Sequence, residues 1–141
     1  TINKKLKVLT VPSMKNVTHT PKGYVDRDLT WQNNRTIIVS RSNENGSVDF
    51  GEGALPSLYK VSLTDNKQTQ ITVPSEKDGD SRPETVKNNL IWIRTDRKNA
   101  DVMISPTYKI GEVVWIKNIN LGSSYYEKWS WDEVFSLYTG R

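Results

Sequence analysis

The chain has 141 residues, 20 basic and 16 acidic side chains, a net charge of +4 and no cysteine. Leu, Ile, Val and Phe account for 34 residues, enough for one domain with a packed core. A disulfide framework and a thiolate metal site are excluded, no run reaches the length of a membrane-spanning helix, and the charges are dispersed apart from Lys4, Lys5 and Lys7. Lysines at alternate strand positions are ordinary edge protection, so no nucleic-acid partner is expected.

In chain order, residues 6–11 read as a strand closed by Pro12 and Ser13. Nothing earlier pairs with it, so its backbone must find partners later in the chain or on another molecule. Residues 14–23 read as a loop that carries His19, the single histidine, as an exposed residue. Residues 24–31, a turn at Asn33-Asn34 and residues 36–40 make two strands. After a polar segment, residues 58–63, a turn at Asp65-Asn66-Lys67 and residues 68–73 complete a four-stranded antiparallel meander. Asn43, Glu44, Asp49 and Glu52 are oxygen-rich, but their spacing fails the calcium-loop pattern and no metal is assigned.

A second copy opens at Asp80-Ser81-Arg82-Pro83. An offset of 54 matches Asp80 to Asp26, Asn88 to Asn34, Ile91 to Ile37 and Ile93 to Val39, while Thr-Val-Pro-Ser recurs 62 positions apart at Thr10 and Thr72. In Ile37-Ile38-Val39, Leu90-Ile91-Trp92-Ile93 and Val113-Val114-Trp115-Ile116 successive residues are apolar. Successive side chains on a strand face opposite ways, so both faces are expected to be buried between stacked sheets. The C-terminal stretch supports two readings. Ser130 and Glu133 have capping-box spacing ahead of Val134, Phe135 and Tyr138, as in a short helix, whereas Trp129 and Asp132 also match Trp31 and Asn34 as the start of a third copy.

Trp31-Gln32-Asn33-Asn34-Arg35 followed by an apolar strand, Leu58-Tyr59-Lys60-Val61, Gln70-Ile71-Thr72 and Asp80-Ser81-Arg82-Pro83 resemble the WD40-like (PD40) repeats of TolB-like β-propeller proteins. The likeness runs from about Tyr24 to Ser105. It departs from the family pattern where Asn33-Asn34 replaces Asp-Gly and Thr85 replaces the motif Trp. These signatures specify a blade and carry no chemistry. The resemblance implies an all-β partial propeller: an outer strand of a preceding blade at 1–13, blades at 24–75 and 79–118, and a C-terminal cap at 125–141.

An incomplete propeller leaves apolar flanks, so self-association or a missing part of the same propeller is expected. No catalytic motif and no cofactor signature is present. The loops opening each repeat are the natural binding rim: Tyr24, Asp26 and Arg27 in one, Asp78, Asp80 and Arg82 in the other, with the recurring Asp alternatively capping a turn. Tyr125, Tyr126 and Trp129 form either a cap or a stacking platform for a ligand. The family setting implies a non-enzymatic, protein-binding scaffold of the periplasm or cell exterior. The alternatives are the propeller of a prolyl-oligopeptidase-like enzyme and a carbohydrate-binding module. The start at Thr1 fits a processed or excised segment.

Overall fold

Thr36-Ile37-Ile38-Val39-Ser40 forms the second strand of a four-stranded sheet and is covered on both faces, as its unbroken apolar run requires. The computed structural model describes residues 4–10, 15–44, 55–106 and 111–119. It is all-β, with no helix among the described residues. The strands are β1 (Lys7–Thr10), β2 (Lys15–Thr18), β3 (Tyr24–Asn33), β4 (Thr36–Asn43), β5 (Ser57–Ser62), β6 (Gln68–Gln70), β7 (Gly79–Val86), β8 (Asn89–Thr95), β9 (Ala100–Pro106) and β10 (Val113–Ile116). They form three antiparallel sheets, β1-β2, β3-β4-β5-β6 and β7-β8-β9-β10, none of them closed into a barrel.

The sheets stack face to face. Ile37, Val39 and Val61 pack on Leu6 and Val8 of the N-terminal pair, while Ile38 and Leu58 pack on Leu90, Trp92 and Met103 of the last sheet. Alternate side chains of β4 therefore serve opposite neighbours, which is the arrangement of propeller-like blades. Fully burying a Leu or Ile is worth about 1.5–3 kcal/mol, so these two seams supply most of the cohesion.

The N-terminal pair is the first of several differences from the sequence expectation. Residues 14–23 are not all loop: β2 lies within them and pairs with β1, Val8 opposite Val17. This hairpin repeats β5-β6. Leu6 N donates to Thr20 Oγ1 (2.5 Å) and His19 N to Leu6 O (2.8 Å), as Leu58 N donates to Thr72 Oγ1 (2.9 Å) and Ile71 N to Leu58 O (2.9 Å). The true counterpart of Thr72 is thus Thr20. The recurring tetrapeptide misleads, because Thr10 ends β1 whereas Thr72 follows β6.

The second copy is also registered differently. Thr85 pairs with Leu90 and Val86 with Asn89, but between Trp31↔Ile37 and Asn33↔Thr36 one extra residue, Gln32, is bulged. The offset of 54 holds for strand one, from Asp26 to Asp80, and falls to 53 in strand two, from Arg41 to Arg94. Ile91 therefore corresponds to Ile38, not to Ile37, since a slip of one residue exchanges the faces. The expectation for β10 fails outright: Val113, Val114, Trp115 and Ile116 are all exposed. As the outermost strand, it has no sheet stacked over either face among the described residues. The C-terminal stretch, with its two readings, and the oxygen-rich residues beyond Glu44 lie outside the described residues.

Candidate functional site

Each repeat opens on an aspartate that enters its first strand, and the structure uses both aspartates internally. Asp26 and Asp80 are buried. Arg41 Nε and Nη2 donate to the two carboxylate oxygens of Asp26 at 2.6 and 2.8 Å; Arg94 does the same to Asp80 at 2.7 and 2.9 Å. Each guanidinium then continues across its sheet. Arg41 lies over the Tyr59 ring, 4.9 Å from its centroid, and donates to Gln68, while Arg94 forks onto Glu112 at 2.8 and 3.0 Å. The same chain of acid, arginine and polar acceptor thus runs from strand one to the fourth-strand region in both sheets. Hydrogen bonds to Asp80, reinforced by Glu112, raise the Arg94 pKa against the opposing effect of burial. A bidentate pair of this kind is rigid, and removing one partner leaves an uncompensated buried charge.

Neither aspartate caps a turn through its side chain or faces solvent, so Asp26 and Asp80 leave the accessible rim. Thr20 Oγ1 adds a third donor to Asp26 at 2.8 Å. Their main chains are engaged too: Asp26 N donates to Lys4 O (2.9 Å) and Asp80 N to Pro56 O (2.8 Å), tying each first strand to the preceding sheet. Gly79 stands at this tie, where a Cβ would lie 2.8 Å from Pro56 Cδ.

The remaining rim residues divide by position. Tyr24 and Arg27 are exposed, and Lys5 bridges the Tyr24 carbonyl and the Glu44 carboxylate. Asp78 is half-buried in a separate cleft of about 420 Å³ with Leu55, Ser75, Glu76 and Arg97, and accepts from Ser75 Oγ at 2.7 Å. Arg82 lies on the inner strand. It and Asp28 occupy equivalent bulges with left-handed backbone, φ 52° and 42°, and Arg82 N donates to Asp28 Oδ2 at 3.3 Å. Burial lowers the Arg82 pKa, with Asp28 pulling the other way. The structure thus brings Arg27, Asp28 and Arg82 onto the inner strands and leaves Asp78 in its own cleft. Tyr125, Tyr126 and Trp129 lie outside the described residues.

Sequence reasoning missed Arg41, Arg94, Gln68, Glu112 and Asp28. The signal was an arginine near the end of each second strand, hidden by the one-residue change of offset. Among the described residues no group of three His, Cys, Asp or Glu side chains is placed to hold a metal, and no helix is long and apolar enough to cross a membrane. His19 is half-buried, its Nδ1 3.0 Å from Asn66 Oδ1. Among the described residues β10 presents exposed apolar side chains, and a cleft of about 710 Å³ has a mixed lining in which Leu9, Trp31 and Leu63 face Asn34, Asp65 and Asn66. No protein-family model matches the chain, and no curated protein matches it.

Proposed function

We propose that the chain is part of a β-propeller of the TolB-like type, a non-enzymatic scaffold that binds protein partners in the periplasm or at the cell exterior. The observation that carries the reading is the fate of the recurring charges. Asp26, Arg41, Asp80 and Arg94 are engaged in cross-strand pairs that hold the sheets, while among the described residues β10 exposes Val113, Val114, Trp115 and Ile116 and the strand-one rim exposes Tyr24 and Arg27. A surface of exposed apolar side chains rimmed by polar ones suits protein association. The envelope setting and the family come from the repeat motifs alone.

A photo-crosslinking amino acid placed at Arg27 and at Trp115, in the protein within its own cell, tests this. The expected result is a discrete protein adduct in the envelope fraction from at least one position. Adducts confined to the cytosol, or labelling of the complete protein by a serine-reactive phosphonate with cleavage of prolyl peptides, would overturn the reading.

A further inference from the structure

The face of the last sheet turned away from the middle sheet carries Ile91, Ile93 and Val102, because Leu90, Trp92 and Met103 alternate with them and fill the seam with Ile38 and Leu58. Ile91 is 3% exposed, and Ile93 and Val102 are fully buried. Among the described residues no sheet stacks over that face. The cover must come from elsewhere in the chain. Residues 107–110 are too few to shield three side chains on two strands, and residues 45–54 leave from and return to the middle sheet, on the other side. Residues 1–3 and 11–14 adjoin the first pair, farther still. What remains is the chain after β10.

That chain carries a matching pattern. The offset of 98 that takes Trp31 to Trp129 and Asn34 to Asp132 also takes Ile37 to Phe135 and Val39 to Leu137. Ile37 and Val39 pack backwards onto the preceding sheet, and Trp31 is paired with Ile37 on the same face. On the opposite face the same offset takes Thr30 to Lys128 and Ile38 to Ser136, both polar. The segment is therefore apolar on the side that a repeat turns to its predecessor and polar on the other. Its point of departure also fits. Ile119 N donates to Ala100 O at 2.9 Å at the outer edge of the last sheet, as Ile71 N donates to Leu58 O before the chain crosses to β7.

We infer that residues 122–141 dock on this face as the first strand pair of a further sheet, with Trp129, Phe135 and Leu137 seated on Ile91, Ile93 and Val102. The register follows from the seam already described. Ile91 is the counterpart of Ile38, and Ile38 is covered by Leu90 and Trp92, which stand where Ile37 and Val39 stand in the middle sheet. Phe135 and Leu137 occupy those two positions in the third copy. Trp129 then belongs to a seam between sheets and not to a stacking platform for a ligand. The inference stands on the repeat and is independent of the scaffold reading.

The test uses the whole chain with methyl-labelled Ile, Leu and Val. The expected result is nuclear Overhauser contact between the Ile91 and Ile93 methyls and the Trp129 and Phe135 rings within one molecule, with strand-type carbon shifts over residues 134–138. Leu137→Asp should speed exchange of the Ile91 and Ile93 amides about tenfold or more, whereas Ser136→Asp, altered on the opposite face, should leave it unchanged. Helical shifts over residues 131–138, contacts from these methyls to residues 45–54 instead, contacts seen only between differently labelled chains, or equal effects of the two variants would each overturn the docking. If Leu137→Asp does not fold, the contacts in the unaltered chain decide alone. Neither result alters the crosslinks expected at Arg27 and Trp115, so the two readings fail separately.

Discussion

Arg41 has little freedom to be anything else. Its guanidinium meets the buried Asp26 with two hydrogen bonds, the half-buried Gln68 with a third and the Tyr59 ring with its face. Lysine cannot reproduce that fork. Arg41→Ala should cost about 3–5 kcal/mol by leaving Asp26 buried and unpaired, and Asp26→Leu combined with Arg41→Leu should recover much of it. Chemical denaturation of the two variants checks the order. The turn at Asp96 behaves differently because it is exposed. Asp96 Oδ1 accepts from Asn99 N (2.6 Å) and Lys98 N (2.9 Å), and these backbone donors lower the Asp96 pKa. A depressed carboxylate lends its support above the ordinary aspartate range and withdraws it as pH falls through its own lower value. The Lys98 and Asn99 amide shifts should therefore titrate with a midpoint below the ordinary aspartate value of 3.8; a midpoint at or above it would contradict the contact.

At the scale of strands, the bulge at Gln32 explains which parts of the fold were legible. The existence of nine strands, their antiparallel meanders and the double-sided burial of β4 and β8 followed from apolar runs between turn signals, and the structure has them all, with β2 in addition. Pairing at the N-terminus was not legible, because β2 reads Lys-Asn-Val-Thr, with a single apolar residue. β10 was misjudged for the converse reason: strand-like composition does not tell an outer strand from an inner one. The ion-pair chain needed the correct register to be seen. Deleting Gln32 should convert the β3-β4 turn to the unbulged form of β7-β8 and leave unfolding cooperative. Deleting Ile38 should exchange the faces of the following residues and abolish cooperative unfolding. Trp115→Lys, on exposed β10, should change stability by about 0.5 kcal/mol or less, while Leu58→Ala in the seam should cost about 2–5 kcal/mol. Thermal unfolding of the four variants separates these outcomes.

For the whole molecule, cohesion is a nearest-neighbour matter. β1-β2 touches the middle sheet through Leu6 and Val8, and the last sheet touches it through Leu90, Trp92 and Met103. Arrays of this kind gain stability from each interface separately. Leu6→Ala should therefore lower the stability of the N-terminal hairpin and middle sheet more than that of the last sheet. Residue-resolved hydrogen exchange would show that gradient, and a uniform loss of protection would argue against neighbour-limited coupling.

The backbone ties from Asp26 to Lys4 and from Asp80 to Pro56 also bear on mechanics. Each stitches the start of one sheet to the chain just ahead of a strand of the previous sheet, β1 in one case and β5 in the other, so a pull on the two ends of the described chain loads these stitches in series. Under tension the polypeptide should yield in discrete rips, one per sheet, rather than in a single event.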